Sequence, residues 1–407
     1  MVPGLEGCKS VRRKREGLRQ ARKSAGLTQE ELAYRLRVDR TTVGRWEAGE
    51  TEPSAWLQPG LAKLLGVSRS RLSCLLDQHE PERPSVTGED QLNDDERQHM
   101  VAALQDARRF VDHDVVSYFR RLLDACAQAD GLNGAVPTLP RVLGILGAIE
   151  TCAGEVEWPV LTELLSVAAR GAEFAGWLNR DAHDARHARV WYGRATEFAQ
   201  EANDTAMQGY VLLKKSQMAY DERDARHVLS LAQAAQYGPW TLSNSVRAEV
   251  TQQEARGLAM VGEPLFVVER KLDKARCLVG EADGADVHTQ LGSPYTQDTL
   301  ILRDASCYIE AGKPHHAASL YQQVLAGDVL SRRDRGYFLA RLTFSLALSG
   351  EPDEAARTGL KAAQLAIATQ SQRTRRELMR SVVTLRPWEN RPGPRALREV
   401  VQAQPVN

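Results

Sequence analysis

The sequence predicts an all-α protein in two parts, a small basic helical domain followed by a long array of helical hairpins. Three observations support this prediction. Short, well-punctuated helix signals fill residues 12–76, alanine- and leucine-rich helical periodicity fills most of the remainder, and Gly-x-Pro breaks recur within it. At 407 residues, the chain is long enough for two or three domains and a sizeable core.

Charge is distributed unevenly along a chain whose formal net charge is zero. Residues 1–76 carry 15 Lys and Arg against 8 Asp and Glu, a net charge of +7, so the remaining residues carry −7. A basic first domain on an acidic body favours an anionic partner for the first domain alone.

Cysteine usage and hydropathy point to a cytosolic protein. The six cysteines are scattered, with neither a CxxC pair nor a metal-finger spacing, which is typical of reduced thiols. The sequence has no charged-then-apolar leader and no apolar run of about 18 residues. We therefore expect a soluble, cytoplasmic protein without a membrane partner.

The first of two adjacent helices in the basic domain begins after Thr28. This threonine precedes "QEEL" as an N-cap, and Glu31 stands three residues further on, which is the spacing of a capping box. Leu32, Ala33 and Leu36 form the apolar face of this helix. A tight break follows at the next two residues.

Asp39 caps the second helix, which is predicted over about Arg40–Ala48 and ends at Gly49. Val43 and Trp46, three residues apart, point to the core. The opposite face carries a polar row that consists of Arg40, Thr41, Gly44 and Arg45. A glycine inside a helix costs about 1 kcal/mol relative to alanine, so Gly44 needs a reason.

The blocks "LTQEELAYRL", "DRTTVGRWEAGETEPS" and "LAKLLGVS", in this order, resemble the Xre (lambda-repressor-like) family of DNA-binding domains. That family is a five-helix unit with a helix-turn-helix, and the resemblance covers about residues 12–76. It implies that four side chains face base edges in the major groove, namely Arg40, Thr41, Thr42 and Arg45. It also implies that Gln29 and the backbone around it contact phosphate.

The residue types agree with this resemblance. Arginine binds guanine bidentately, and threonine offers a hydroxyl group or a methyl group to a base. Gly44 lets the helix backbone sit deeper in the groove, although a merely tolerated glycine is the alternative. Glu50 and Glu52 depart from the family pattern, because they would repel phosphate. Affinity is then expected to depend on dimerisation and on the basic run Arg12–Arg15, with Arg13 and Lys14 as phosphate contacts.

The chain beyond the basic domain divides by composition. A segment with three prolines, many acids and almost no apolar residues predicts a linker at 77–100. We expect a helical connecting region at 101–160, a repeat domain at 161–385 and a tail at 386–407.

Internal repeats predict the architecture of the repeat domain. "GEPLF", "GKPHH" and "GEPDE" each supply a helix stop followed by proline at a helix start. They align with "DAHDARHA" and "DERDARHV" in one register, which passes through Ala188, Val228, Val267, Ala317 and Ala355. The spacings are 40, 39, 50 and 38 residues, and the longest contains a predicted loop insertion at 281–294.

Each unit reads as helix, short turn, helix. In the first unit the small residues Gly176, Ala188 and Ala195 lie where close helix crossings need them, and Tyr192 fills the space between them. These units resemble degenerate tetratricopeptide repeats, although a generic helical-hairpin array remains an alternative. Either arrangement stacks into an α-solenoid with a concave face.

The repeat register also predicts a candidate ligand groove. In a tetratricopeptide-like hairpin the first helix lines the concave face. Its inward positions here include Glu173, Trp177, Arg180, Tyr210, Gln217, Tyr220, Gln252 and Arg256. Glutamines suit backbone amides, arginines suit a carboxylate, and aromatic rings offer stacking surface. The alternative is that these residues pack on neighbouring helices or are simply solvated.

No catalytic motif is recognisable in the sequence, which lacks a phosphate-binding loop, G-x-S-x-G, HExxH and GxGxxG. His183 and His187 have a spacing that metal ligands use, but no third ligand is evident nearby. We expect a protein that is not an enzyme and that has no cofactor and no metal.

The combination resembles bacterial transcriptional regulators, especially an actinobacterial set, and at the level of architecture the peptide-pheromone receptors. Our interpretation is a sequence-specific DNA-binding regulator that recognises a palindromic operator. Its repeat domain dimerises and senses a peptide, a small molecule or a protein partner. The alternative is an antitoxin-like scaffold that sequesters a partner protein, with DNA binding secondary.

Overall fold

Every regular element that the structure describes is helical. The computed structural model describes residues 15–54, 57–67, 72, 75–76, 94–280, 291 and 295–403, and it contains no strand within these ranges. Its helices form two units. The chain up to Gln105 together with Phe110–Ser117 forms the first unit, and Asp106–Arg109 together with the chain from Tyr118 onward forms the second. The predicted all-α class is confirmed.

The first unit opens with a helix-turn-helix. Its first four helices are α1 (Glu16–Ser24), α2 (Gln29–Leu36), α3 (Arg40–Glu47) and α4 (Gln58–Leu65). The predicted capping box starts α2, because the Thr28 hydroxyl accepts from the Glu31 N–H and the Glu31 carboxylate accepts from the Thr28 N–H. Arg37 then turns the chain with a φ of 55°, and Asp39 starts α3 by accepting from the Thr41 N–H.

The apolar faces of these helices meet in one core. Its buried members include Leu32, Leu36, Val43, Trp46, Leu61, Leu72 and Leu76. The predicted inward direction of Val43 and Trp46 is therefore confirmed. Leu72 and Leu76 belong to the segment expected to form the fifth helix, of which most residues lie outside the described ranges.

The segment predicted as a linker is in part helical. Residues 77–93 lie outside the described residues, whereas α5 (Asp94–Gln105) begins inside the predicted linker of 77–100. The helical connecting region contains α6 (Ala107–Phe110), α7 (His113–Asn133) and α8 (Ala135–Ala153). The helical content expected at 101–160 is thus present.

The second unit stacks successive helical hairpins, each packed on the next. They are built from α9 (Val160–Asp181), α10 (Ala185–Glu201), α11 (Thr205–Asp221), α12 (Ala225–Tyr237), α13 (Asn244–Met260), α14 (Leu265–Gly280), α15 (Gln297–Glu310), α16 (Pro314–Leu325), α17 (Arg332–Leu348) and α18 (Pro352–Ala368). The predicted α-solenoid is confirmed. No helix in the described part of the chain is both long and apolar enough to cross a membrane.

Left-handed residues end the first helix of each hairpin. The three Gly-x-Pro breaks place Gly262, Gly312 and Gly350 at φ values of 86°, 72° and 76°. Glycine takes this conformation without a steric penalty, which explains the recurrence of these breaks. In the earlier hairpins His183 and Arg223 take the same role, with φ values of 68° and 63°. The loop insertion expected at 281–294 lies almost entirely outside the described residues.

The predicted repeat register holds in four units and slips in one. Ala188, Val228, Ala317 and Ala355 are fully buried, as the register requires. Val267 is only partly buried, and Val268 takes the core position instead. The reason is local: Pro264 precedes α14 rather than opening it, so the helix starts one residue later than in the other Gly-x-Pro units.

The close crossing predicted between α9 and α10 is confirmed. A Cβ atom on Gly176 would lie 2.7 Å from the ring of Tyr192, which is fully buried. Any larger residue would force these helices apart.

The segment expected to be a tail is folded. α19 (Gln372–Thr384) leads into a short 3-10 turn at Arg386–Trp388 and then into α20 (Pro392–Gln402). α20 buries Leu397 and Val401 against the array, so the helical unit continues to residue 402.

The two ends of the array meet. A solenoid repeat ordinarily contacts its neighbours alone. Here the Ser371 hydroxyl donates to the Asp181 carboxylate at 3.0 Å, across 190 residues of chain. Gly134 is so close to Thr369 that a Cβ atom would lie 1.8 Å from the Thr369 carbonyl oxygen. We call the set that joins the ends the clasp: Asp130, Trp177, Asp181, Arg333, Ser371 and Arg373.

Candidate DNA-facing helix and interior of the helical array

The outward face of α3 presents the residues predicted to face base edges. The Arg40 and Arg45 side chains are 65% and 59% exposed. Thr42 is partly exposed. Thr41 is exposed, but its hydroxyl donates to Asp39 at 2.7 Å, so its hydrogen atom already serves the cap of α3. Arg40, Thr41 and Arg45 thus share the outward face of α3, whereas Thr42 lies on the side of the helix, about 160° away from Arg40.

Gly44 lies in the middle of this surface without a packing role. A Cβ atom there would meet no other atom within 4 Å. The glycine is therefore not required by the fold of the domain itself. It leaves the helix backbone open towards whatever α3 faces.

Arg40 and Arg45 each form an ion pair within the domain. Arg40 lies 3.6 Å from Glu30 of α2, and Arg45 lies 3.3 Å from Glu50. The pair with Glu50 gives that carboxylate an intramolecular partner, which the sequence had not indicated. Exposed pairs of this kind contribute up to about 1 kcal/mol, so a phosphate or a base can displace them.

Arg15 is structural, which corrects part of the prediction for the basic run. It is buried, and it donates to the carbonyl oxygens of Leu76 at 2.6 Å and Thr51 at 2.8 Å. Its guanidinium group also pairs with Glu52 at 2.8 Å, so Glu52 has an intramolecular partner although its side chain is largely exposed. Arg13 and Lys14 lie outside the described residues, and their contacts with phosphate stay a prediction.

Gln29 supports the domain from within. Its amide nitrogen donates to Glu47 at 2.6 Å, and the same buried carboxylate pairs with Arg22 at 2.7 Å. The Arg22 guanidinium group also donates to the Leu27 carbonyl oxygen. This network fixes α1, α2 and the end of α3 together, and the contact of Gln29 with phosphate remains a prediction.

The residues predicted for the ligand groove do gather inside the array, where they bind one another. Six of them are buried, namely Arg180, Tyr210, Gln217, Tyr220, Gln252 and Arg256, and Glu173 and Trp177 are partly exposed. The alternative of mutual packing therefore describes many of their contacts. The interior is polar and rich in arginine, in contrast to the apolar seams between helices.

Arg180 is neutralised by a residue that was not predicted. Its Nε donates to Asp221 at 2.5 Å, and its Nη1 lies 3.3 Å from the Gln217 amide oxygen. The Gln217 amide nitrogen donates to Glu249 at 2.7 Å, and Glu249 pairs with Arg303 at 2.6 Å, which extends the network. Arg180 therefore has a carboxylate partner already, unlike the free cation that the prediction assumed.

A second network surrounds Tyr220. Its hydroxyl donates to Glu310 at 2.8 Å, and Glu310 also accepts both ends of the Arg223 guanidinium group. Arg341, which is fully buried, pairs with Glu377 at 2.9 Å and stacks 5.5 Å from the Tyr220 ring. Sequence reasoning missed Arg341 and Glu310, since neither lies in the aligned inward positions.

Arg256 is the predicted groove cation with the fewest polar contacts. It donates to the Gln253 amide oxygen at 3.1 Å and stacks 4.6 Å from the Tyr220 ring. No carboxylate within the described ranges forms an ion pair with it, and its Nε has no hydrogen-bond acceptor there. Gln252 donates to the Leu300 carbonyl oxygen at 2.9 Å and to Asp304.

Trp177 is central to the clasp. Its indole N–H donates to Asp130 at 3.2 Å, and the guanidinium groups of Arg333 and Arg373 lie 4.9 and 4.6 Å from its ring. Arg333 also pairs with Asp130, and Arg373 lies 3.5 Å from Asp181. The predicted stacking surface is thus occupied by arginines of α17 and α19.

Burial and charge act in opposite directions on the interior carboxylates. Burial raises the pKa of Glu173, although Lys214 opposes the shift. Burial alone would raise the pKa of Glu310 too. Hydrogen bonds from Arg223, together with the positive charge of Arg341, outweigh burial and lower its pKa to about 2. Glu310 is therefore ionised in the folded chain at any moderate pH.

The two spaced histidines have separate partners. His183 faces the Arg376 guanidinium group at 3.2 Å, whereas His187 bonds to Asp184 at 2.6 Å. Among the described residues, no cluster of three or more His, Cys, Asp or Glu could hold a metal ion.

Residues 16–75 match the helix-turn-helix domain family. No curated protein matches the chain at a significant level. The chain is similar to Bacillus thuringiensis PlcR, solved in complex with the peptide PapR7 and DNA, at 11% identity over 96% of this chain and 94% of that one, with a TM-score of 0.31. It is also similar to yeast Tom70 at 14% identity, covering 95% of this chain and 84% of that one, with a TM-score of 0.33. Neither likeness indicates what this chain binds. The chain carries a helix-turn-helix domain at residues 16–75, ahead of an array of tetratricopeptide-like helical hairpins.

Proposed function

We propose that the protein is a sequence-specific, DNA-binding transcriptional regulator of the Xre type. One observation carries this proposal: α3 presents Arg40, Thr41 and Arg45 on one exposed surface around Gly44, where the backbone is open. An α-helix of these dimensions fits the major groove, and arginine reads guanine through two parallel hydrogen bonds.

A rigid base supports this surface. The buried Arg22–Glu47 pair and the anchoring of Arg15 fix the helices behind α3. A reading helix held this firmly loses little conformational entropy on binding, which favours discrimination between sequences. The intramolecular pairs of Arg40 and Arg45 must open first, so correct bases are needed to replace them.

We propose further that the array dimerises and senses a ligand. The interior supports a sensor over the scaffold alternative, because a sequestering surface would be a broad apolar groove. The described interior is instead lined by buried arginines, glutamines and tyrosines. Arg256, whose guanidinium group lacks a carboxylate partner among the described residues, suits the carboxylate of a peptide or small molecule. The protein acts by binding, without catalysis.

The test of DNA recognition starts with footprinting of the full chain on the DNA upstream of its own gene. Arg40→Ala and Arg45→Ala are then compared with Arg226→Ala, which removes an exposed arginine from α12. Each α3 variant should lose about 1–3 kcal/mol of operator affinity and relax the preference at particular base pairs. Wild-type affinity and specificity in both α3 variants would overturn the assignment of α3.

Sensing is tested separately. Arg256→Ala should lose the change in operator binding that cell extract or an identified ligand produces, while Arg226→Ala keeps it. A normal response in a folded Arg256→Ala protein would place the sensor site elsewhere.

A further inference from the structure

The outer face of α8 is apolar, and no described residue of the second unit covers it. The inner face of α8 buries Val142, Leu146 and Ile149 against the array. The opposite face is exposed and consists of Val136, Pro140, Leu143, Gly144, Gly147 and Thr151. Val136 is 50% exposed and Leu143 36% exposed. A solenoid normally ends in a polar outer face, because an uncovered apolar end promotes association.

The other end of the array follows this rule. α20 buries Leu397 and turns Arg395, Glu399 and Gln402 to solvent. The array is thus polar at its last helix and apolar at α8. Only two exposed positions of α8 carry charge, Arg141 and Glu150, and helix geometry places them on opposite edges of the apolar face.

Two glycines within this face are not required by packing against any described residue. A Cβ atom on Gly144 or on Gly147 would meet no other atom within 4 Å. Gly171 of α9 differs, because a Cβ atom there would lie 2.8 Å from Leu146. A glycine inside a helix costs about 1 kcal/mol relative to alanine. Gly144 and Gly147 reduce the helix surface towards the outside, which allows a second helix to approach closely.

The order of large and small side chains along this face is complementary to that of a second, antiparallel copy of α8. We pair two α8 helices antiparallel about a two-fold axis that passes between Leu143 and Gly144. Val136 of one copy then comes level with Thr151 of the other, and Pro140 comes level with Gly147. Each larger residue of one copy therefore stands beside a smaller residue of the other, which gives a self-complementary surface.

We infer that α8 is the homodimer interface, with a second copy of this chain as its partner. This inference rests on the dimerisation included in the proposed function, and it assigns the surface that performs it. The α8 face of a second copy has the same length and is equally uncharged. In the antiparallel arrangement its small residues also stand opposite the large residues of the first copy. A dimer through α8 presents two helix-turn-helix domains, as a palindromic operator requires.

The first experiment measures the mass of the full chain by light scattering at micromolar concentration. The wild type should show twice the chain mass of 45.1 kDa. Leu143→Glu and Gly147→Leu should weaken the dimer at least about tenfold. Gly147→Leu should melt no lower than wild type, since its side chain meets open space within the chain.

Matched controls separate the interface from general effects. Val383→Glu places the same charge on another exposed apolar residue, and Gly193→Leu fills another open helical position. Both should remain dimeric. A second measurement uses Gly144→Cys in a background without Cys8, Cys74 and Cys277. It should form an intermolecular disulfide under mild oxidation, whereas Arg395→Cys on α20 should not.

Three results would overturn the inference. Dimers of wild-type affinity in both α8 variants would place the interface elsewhere, and the proposed dimerisation would stand. Failure of Gly144→Cys to cross-link more than Arg395→Cys would exclude the antiparallel pairing. A monomeric wild type would overturn both this inference and the proposed dimerisation, while DNA recognition by α3 would still be decided by Arg40→Ala and Arg45→Ala.

Discussion

Arg45 and Glu50 form an ion pair at the end of α3, with the arginine Nε 3.3 Å from a carboxylate oxygen of the glutamate. Both side chains are about half exposed. Arg45 is one of the residues that we propose to read bases, so its guanidinium group is partly neutralised before DNA arrives. If α3 enters the major groove as we propose, Glu50 lies near the phosphates, and repulsion weakens binding to every sequence alike.

Removing that charge should strengthen non-specific binding. We expect Glu50→Gln to bind unrelated duplexes roughly two- to five-fold more tightly at low salt, since an exposed pair is worth up to about 1 kcal/mol. The gain for the operator should be no larger, so the ratio of operator affinity to non-specific affinity should not rise. Fluorescence anisotropy on operator and scrambled DNA measures both. Glu263→Gln, on an exposed turn of the array, serves as the control, and equal affinities in the wild type and Glu50→Gln would contradict the prediction.

The buried pair of Arg22 and Glu47 should be essential for the helix-turn-helix domain. Glu47→Ala leaves a buried guanidinium group unpaired and removes the acceptor of Gln29, so the domain should lose about 3–5 kcal/mol. Hydrogen exchange of α1–α3 in the full chain reports this local stability. Glu30→Ala removes an exposed carboxylate from α2 and should change it by less than about 1 kcal/mol. Similar protection in Glu47→Ala and wild type would show that the pair is dispensable.

Glu310 should make the array sensitive to acid. Its pKa falls from an ordinary 4.5 to about 2 in the folded chain, which stabilises the fold at any pH above the unfolded value. That contribution, about 3 kcal/mol, is lost as the pH falls from about 4.5 towards 2. Urea unfolding across this window should therefore show a shallower pH dependence in Glu310→Gln than in wild type.

Other carboxylates act in the opposite direction, so the comparison with wild type is necessary. Burial raises the pKa of Glu173, Asp181 and Asp304, and protonation of these groups stabilises the fold as the pH falls. They are unchanged in Glu310→Gln and cancel in the difference. Parallel pH profiles for Glu310→Gln and wild type would show that the Arg223 and Arg341 contacts do not hold Glu310 ionised.

Gly134 should be required for closure of the array. Gly134→Ala puts a Cβ atom 1.8 Å from the Thr369 carbonyl oxygen, at a backbone φ of 89° that alanine disfavours. We expect a loss of at least about 2 kcal/mol of stability and faster hydrogen exchange in α7 and α19. Gly193→Ala, at an open helical position of α10, should instead be neutral or stabilising by up to about 1 kcal/mol. Equal melting temperatures for the two variants would contradict the close approach of Gly134 to Thr369.

Local signals explain what the sequence could predict. The capping box of Thr28, the cap of Asp39 and the Gly-x-Pro breaks all act over a few residues, so pattern reading located α2, α3 and several hairpins correctly. The register failed at Val267 for an equally local reason. α14 starts one residue later than the register predicts, so Val268 takes the buried position that was predicted for Val267.

Distant partners explain what it could not predict. Periodicity predicts which residues of α9, α11 and α13 point inward. It does not predict which residues from other helices neutralise the charged side chains among them. Arg180 depends on Asp221, and Trp177 depends on Arg373 almost 200 residues away. Arg15 reads as part of a basic surface run, and only its contacts with Leu76 and Thr51 show that it is structural.

The clasp has a consequence for the order in which the chain is made. Repeat proteins usually gain stability unit by unit, so early hairpins can fold while later ones are still being synthesised. Here Asp130 and Asp181 of the first helices find their arginine partners in α17 and α19. Until the ribosome releases those helices, the early hairpins hold carboxylates without counter-charges. The array should therefore fold late and as a single cooperative unit, and a chain truncated before α19 should be a substrate for proteases rather than a shorter regulator.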